Sequence, residues 1–249
     1  MGSDSPVHQN GVAPSRGLLY IHVNALIIQG ALQLNQGAHG DAFATFGEAT
    51  KSLRWSMDLA PQIGVFTLIE PNDLSSCRFY SPVYQPCYPG PHYTELKAFR
   101  HALIPAPSPY MTQTCDTTRN DISLLAVWTM SSVYNMALCN HLSGRPDRMR
   151  EAVRQYKDVW SLLLRTTTAI HGTFHENHII LILALSMNLC DCLAGLGELD
   201  ESYLWMSILQ DLVRGCMASG RSETLNDPCF PIFRVAAGIY SRSIAAGAA

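Results

Sequence analysis

The chain has 249 residues, 47% of them hydrophobic and only 15% charged, and its net charge is −3. This length suffices for one well-buried domain or a short repeat array. The slightly acidic balance provides no attraction for nucleic acid or an anionic membrane, and the longest apolar run, residues 179–185, is far shorter than the ~20 residues of a membrane span. We therefore expect neither nucleic acid nor membrane as a partner.

The first 16 residues are polar, contain Pro6, Gly11 and Pro14, and lack the apolar core of a signal peptide. We predict that they are disordered. Four of the eight cysteines (139, 190, 192 and 216) lie within apolar helical patterns, where cysteine acts as a small hydrophobic residue. Without a secretory signal, we expect reduced thiols in an intracellular, cytoplasmic protein, with zinc ligation as the alternative.

The first predicted helices span residues 17–36 and 41–57 and are separated by a turn at Gly37 and Gly40. Apolar residues recur at helical spacing in both, and the glycines end the first helix. Asp41 lies in the first turn of the second helix, where a negative charge is favourable. These residues predict one complete helical hairpin.

Residues 58–120 interrupt the helical pattern, because they contain nine of the 14 prolines and no long helix tolerates that density. Their aromatic residues argue against full disorder. We expect this insertion to fold over one face of the helical layer, with short extended pieces such as 79–84 and 96–103. We also expect the helices to fold without it and the insertion to carry specificity. The candidate partner contacts are Tyr80, Tyr84, Tyr88 and Tyr93.

Helical patterns resume at residues 121–142 and 146–163, and again at 175–195 and 200–217. Each pair is joined by a short turn that contains a glycine, so each pair predicts a further hairpin. Residues 220–231 read as a loop. Residues 231–244 form a last amphipathic pattern, which we expect to cap the stack.

One spacing recurs in all three hairpins: a small residue in the first helix, glycine seven residues later, and a ladder of small and bulky residues in the second helix. The positions are Gly30, Gly37, Ala42, Phe46 and Ala49; then Ala137, Gly144, Ala152, Tyr156 and Val159; then Cys190, Gly197, Ser202, Met206 and Leu209. Small residues let two helices approach, and a bulky side chain fills the groove between them. The spacing predicts an all-α fold of stacked antiparallel hairpins in one domain, residues 17–249, with 58–120 inserted between the first two hairpins.

The stretch Asn135-Met136-Ala137-Leu138, with Gly144, Ala152 and Tyr156, resembles the consensus of tetratricopeptide repeats. The turn at residues 197–201 resembles the one that opens such a repeat's second helix. The chain is similar to a broad group of microalgal proteins with tetratricopeptide-like helical domains. This resemblance implies an α–α superhelix that acts as a non-catalytic scaffold and presents a groove to a protein or peptide partner.

Tetratricopeptide domains that bind chaperone C-termini line this groove with asparagine, lysine and arginine. Asn135 and Asn188 stand at matching asparagine positions, so the resemblance makes them candidate partner-binding residues. The basic positions fall on apolar Ile27 and Ala184, whereas bidentate capture of a carboxylate needs cations. The alternative is that both asparagine side chains bond across neighbouring helices.

The strongest metal-binding pattern is His171, His175 and His178, with Glu176 as a possible base. Spacings of four and three align imidazoles on one helical face, as a zinc site requires, although the order is not H-E-x-x-H. This cluster supports the alternative of a metal-dependent hydrolase. The other interpretation is a solvated helix start. No phosphate-binding loop, dinucleotide fingerprint or nucleophile elbow occurs, so we expect no enzyme, cofactor or small-molecule ligand.

A basic ridge runs along the helix at residues 146–163. Its cations are Arg148, Arg150, Arg154 and Lys157, and they alternate with Asp147, Glu151 and Asp158. A ridge of this kind is compatible with phosphate or RNA binding, but acidic residues three and four positions away favour a solvated, salt-bridged face.

Overall fold

A computed structural model of the chain describes residues 16–59, 77–80, 99–107, 117–167, 178–220 and 222–247. Apart from one short β-ribbon, the regular elements in these ranges are helices, which confirms the all-α prediction. They are α1 Arg16–Asn35, α2 His39–Leu59, α3 Thr117–Leu142, α4 Pro146–Thr167, α5 Ile179–Gly195, α6 Leu199–Ser219, α7 Ser222–Leu225 and α8 Phe230–Gly247. The short helix α7 lies where the sequence predicted only a loop. The predicted disorder of the N-terminal segment falls, apart from Arg16, outside these ranges.

Consecutive helices pack against each other as hairpins, α1 with α2, α3 with α4 and α5 with α6. The paired helices are antiparallel. In the first hairpin, residues that face each other are separated by fewer positions in the sequence the nearer they lie to the turn. Gly30 faces Phe46, whereas Gln33 accepts a hydrogen bond of 2.8 Å from Thr45. The hairpins stack in chain order, with α2 against α3, α4 against α5, and α8 against α5 and α6.

Glycine ends the first helix of each hairpin in the left-handed region of backbone conformation. The φ angles are 77° at Gly37, 68° at Gly144 and 79° at Gly197. At the end of α5, Gly197 donates its N–H to Ala194 and Glu198 donates to Leu193, at 3.0 and 2.9 Å. This pair of bonds satisfies carbonyls that the end of a helix leaves open. Glycine is favoured here because a side chain at positive φ is strained.

The small and bulky residues of the recurrent spacing lie between the helices of their hairpins. All are buried, including Ala42, Phe46, Ala49, Ala137, Ala152, Tyr156 and Met206. At Gly30, a Cβ atom would lie 2.7 Å from Cε1 of Phe46. Atoms at that distance overlap, so α1 and α2 can pack this closely only because position 30 has no side chain.

The described part of the insertion contains the ribbon and a buried segment. Strand β1, Cys77–Tyr80, pairs antiparallel with β2, Ile104–Pro107, and Tyr80 lies opposite Ile104. Phe99, Ala102, Leu103 and Ile104 are buried in the same hydrophobic core as the helices. Removing this part would expose the core residues that it covers, and the expectation that the helices fold without the insertion stays a prediction. Tyr84, Tyr88 and Tyr93 lie outside the described residues.

In the described ranges, no helix combines the length and apolarity that crossing a membrane requires.

Replacing Gly30 with alanine should destabilise the protein by ~1–3 kcal/mol, because the added methyl group meets the buried ring of Phe46. The matched control is Gly47→Ala in α2, where a Cβ atom meets nothing within 4 Å. That change should be neutral or stabilising by up to about 1 kcal/mol, since alanine favours helix over glycine. Urea unfolding followed by circular dichroism measures both. Equal stabilisation by the two substitutions would show that α1 and α2 do not approach at Gly30.

Candidate functional site

Asn135 on α3 binds the backbone of Leu103 in the insertion with both ends of its side-chain amide. Its Oδ1 accepts the Leu103 N–H at 2.9 Å, and its Nδ2 donates to the Leu103 carbonyl at 2.9 Å. Ser131, one turn earlier on α3, donates its hydroxyl to the same carbonyl at 2.6 Å. Side chains of α3 thus satisfy both backbone polar groups of Leu103.

Asn188 on α5 makes the same kind of contact with Phe99. Its Oδ1 accepts the Phe99 N–H at 2.7 Å, and its Nδ2 lies 3.3 Å from the Phe99 carbonyl oxygen. The same Nδ2 is 3.1 Å from the hydroxyl of Tyr134 and 3.2 Å from that of Tyr156. Asn188 therefore links α3, α4 and α5 as well as the insertion. We call Asn135 and Asn188 the asparagine clamp, and residues 99–104 the clamped segment.

The asparagine clamp provides hydrogen-bond partners for backbone groups that are removed from water. Residues 99–103 form neither helix nor strand, so their backbone groups have no regular partners where they enter the core. A buried N–H or C=O without a hydrogen bond costs ~1–3 kcal/mol. Each asparagine removes this penalty for one residue, and the two residues are four positions apart. Since only backbone atoms of Phe99 and Leu103 are bound, these hydrogen bonds do not depend on the side chains at the two positions.

Apolar side chains of the clamped segment supply contacts that do depend on sequence. The ring of Phe99 packs against Phe233 of α8, with centroids 4.9 Å apart, and meets the edge of His101 at 5.2 Å. Phe99 and Leu103 are 1% and 0% exposed, whereas Arg100 points to solvent. The segment is thus held by its backbone at two points and by buried side chains around them.

The groups around the clamp are uncharged. Burial raises the pKa of Tyr134 and of Tyr156 well above the ordinary value, against the opposing effect of the hydrogen bond with Asn188. Burial also lowers the pKa of His101, which favours its neutral form. The positions that would carry cations in a chaperone-binding domain, Ile27 and Ala184, are buried and apolar. Amides and hydroxyls suit a peptide backbone better than a carboxylate or phosphate, which needs cations.

The histidines proposed as metal ligands are only partly described. His171, His175 and Glu176 lie outside the described residues, and His178 is buried immediately before α5. No group of three histidine, cysteine, aspartate or glutamate residues suited to a metal occurs in the part of the chain that the structure describes. The hydrolase hypothesis therefore gains no support from the described residues.

A histidine–aspartate pair that the sequence did not indicate joins α3 to α5. Nε2 of His141 lies 2.9 Å from Oδ2 of Asp191, and the ring meets the edge of Tyr156. A catalytic triad would place a nucleophile on the other ring nitrogen. Nδ1 of His141 is buried and has no hydrogen-bond partner among the described residues. The pair consequently acts as a structural tie between two helices.

Two of the four cations of the basic ridge on α4 are paired with acidic neighbours. Arg154 donates to Glu151 and to Asp158, each at 2.9 Å, and the ammonium group of Lys157 lies 2.7 Å from Glu201 of α6. Arg148 and Arg150 are exposed. Interleaved pairs of this kind fit a solvated helix face rather than a phosphate site.

The sequence singled out both clamp asparagines but not what they bind. Phe99, Leu103 and Ser131 were missed as site residues. One signal was available: Ser131 and Asn135 are spaced by one turn on the same face of α3, and Asn188 follows the apolar run of residues 179–185 in α5. A polar side chain on a buried helix face needs a partner, which points to a polar chain segment packed there.

Comparisons with protein-family models, with curated proteins and with solved structures find no match to this chain. The resemblance to tetratricopeptide repeats thus rests on the residues quoted for it. The function has to be argued from the chemistry of the clamp.

Replacing Asn135 with leucine should destabilise the protein by ~1–3 kcal/mol, because the buried N–H of Leu103 loses its acceptor. Amide exchange at Leu103 should also become faster. Gln29→Leu, at an exposed position of α1, is the control and should change stability by less than about 0.5 kcal/mol. Unchanged stability together with a protected Leu103 amide in the Asn135→Leu variant would contradict the assigned contact.

Stability should fall at alkaline pH. The native state holds the protons of Tyr134, Tyr156 and Cys139 more tightly than the unfolded chain, and burial raises the pKa of the Cys139 thiol to about 12. The stabilisation is complete below the unfolded pKa values and is lost as pH rises above ~9–10 towards the folded ones. Urea midpoints from pH 7 to 11 measure this loss. Tyr134→Phe should reduce its slope.

The control for this titration is Gln29→Leu, which lies at an exposed position and removes no titratable group. It should leave the pH dependence unchanged. If Tyr134→Phe loses stability with the same slope as the wild type, ionisation of the buried phenol does not contribute.

Proposed function

We propose that this protein is a non-catalytic binding module whose helical stack holds a peptide segment of a protein partner at the asparagine clamp. One observation carries the proposal: Asn135 and Asn188 each bind the N–H and the C=O of a single residue, and these two residues are four positions apart. A pair of amides in this arrangement recognises an irregular peptide backbone. The apolar surfaces beside it select among side chains.

Two further features support a scaffold rather than an enzyme. Catalysis of proton transfer needs a group whose pKa lies near the working pH. The clamp contains amides and hydroxyls, which keep their protons at neutral pH. It therefore offers no general base. The tetratricopeptide-like spacing supports the same class of function. On this proposal the partner is a protein or peptide rather than nucleic acid, membrane or a small molecule. The five cysteines whose side chains the structure describes are free thiols, which favours a reducing compartment such as the cytoplasm.

The test begins with selection of binders from a random peptide library on the purified full chain. Dissociation constants of selected peptides are then measured by fluorescence anisotropy for Leu103→Ala, in which the chain's own contact with the clamp is weakened, and for the double variant Leu103→Ala/Asn135→Asp, which keeps an acceptor but loses the donor to the peptide carbonyl. The substitution should weaken binding about tenfold, the value of one lost hydrogen bond.

Arg154→Ala, on the exposed ridge of α4, is the control and should leave binding within about twofold, since the exposed Arg154 side chain bonds to Glu151 and Asp158 of its own helix. Circular dichroism establishes that each variant is folded. The proposal is wrong if no peptide is selected, or if the selected peptides bind Leu103→Ala and the double variant equally.

A further inference from the structure

The clamp is fully engaged by the chain's own residues. Both polar ends of Asn135 are bonded to Leu103, and Asn188 is bonded to Phe99. A partner can bind these amides only when the clamped segment has left. We propose that residues 99–104 are an internal ligand that closes the site, and that the partner displaces them with a segment of the same side-chain pattern. This inference rests on the proposed function and specifies its partner and its regulation.

The side-chain pattern that a partner must match is given by which side chains of the clamped segment are buried. Its first position is the aromatic Phe99, which packs on Phe233, and its second position, Arg100, is exposed. The fourth to sixth positions, Ala102, Leu103 and Ile104, are buried. A competing segment thus needs an aromatic residue, a small residue three positions later and two aliphatic residues after it. The second position is free to vary because its side chain points to solvent.

The frame around the segment can persist when the segment leaves. Asn188 retains the hydroxyls of Tyr134 and Tyr156 as partners, so α3, α4 and α5 stay hydrogen-bonded to one another. The pair of His141 and Asp191 joins α3 to α5 independently of the segment. Each hairpin also closes through its own glycine turn. Opening therefore removes the ligand without removing the helices that form the site.

Release of the clamped segment costs free energy, which a partner offsets only if it restores the lost contacts. When the segment leaves, its buried side chains become exposed to water, the clamp loses its backbone partners, and the pairing of Ile104 with Tyr80 of β1 is disturbed. A competitor with the same apolar pattern restores the burial, whereas a polar peptide does not. Because the internal segment is tethered, its effective concentration is of millimolar order, and the apparent affinity for the partner falls with the open fraction.

The experiment uses a fluorescein-labelled peptide with the sequence of residues 97–107 as the probe. Its binding is measured for the wild type, for Leu103→Ala, which weakens the internal ligand, and for Arg100→Ala, which alters an exposed position of the same segment. Leu103→Ala should bind the peptide about tenfold more tightly than wild type, since more of its clamp is open. Arg100→Ala should bind like wild type.

Variants of the probe test the pattern. A peptide carrying the change equivalent to Phe99→Ala should bind the Leu103→Ala protein about tenfold more weakly than the parent peptide, and one equivalent to Arg100→Ala should bind equally. Loss of binding on changing the exposed arginine, with none on changing the phenylalanine, overturns the pattern.

The outcomes separate the inference from the proposed function. If wild type and Leu103→Ala bind the peptide equally, the segment does not gate the site, while the clamp remains a peptide-binding site. If neither folded protein binds it or any peptide selected from the library, the proposed function fails as well.

A measurement on wild type alone covers the case in which Leu103→Ala does not fold. In native-state hydrogen exchange, the amides of Phe99 and Leu103 should open with less free energy than that of Leu189 in α5, and excess peptide should accelerate their exchange. Equal protection of all three amides, unaffected by peptide, makes the segment a fixed part of the core and overturns the inference.

Discussion

A backbone that enters a protein core must have its N–H and C=O groups hydrogen-bonded, and this requirement organises the described structure. Residues 99–103 enter the core without helix or strand geometry. The missing partners come from Asn135 and Asn188, one on the buried face of each of two helices, with Ser131 as a further donor. The positions of these amides determine where the segment lies and which side chains it buries. The same bonds explain why buried faces of α3 and α5 carry asparagine.

The molecule therefore combines two levels of organisation. Each hairpin is local: a left-handed glycine ends its first helix, and small residues such as Gly30 and Ala152 let the second helix pack closely. The contacts of the clamped segment, by contrast, join residues that are distant in sequence, and the segment belongs to no hairpin. Local elements with strong contacts form a frame, and a segment held by a few side-chain bonds occupies it. This difference between the hairpins and the clamped segment is the physical basis for proposing that the clamp binds a partner and that the hairpins provide stability.

The same division decides what could be predicted from the sequence. The hairpins, their turns and the buried ladder from Ala42 to Ala49 were predictable, because glycine conformation and helical periodicity act over a few residues. The path of the insertion was not, since the contact between Phe99 and Asn188 spans 89 residues and no local preference encodes it. Asn188 was recognised as a candidate contact, but a resemblance to peptide-binding domains could not indicate that the chain supplies its own peptide. The tie between His141 and Asp191 spans 50 residues and was missed for the same reason.

The central claim is that the two asparagine amides hold the backbone of the clamped segment. The most direct measurement is nuclear magnetic resonance detection of scalar coupling across hydrogen bonds in the deuterated, isotope-labelled protein. The account predicts coupling from the Leu103 amide nitrogen to the side-chain carbonyl carbon of Asn135, and from the Phe99 amide nitrogen to that of Asn188. Coupling of these two amides to other carbonyls, or their rapid exchange with solvent in the folded protein, would contradict it.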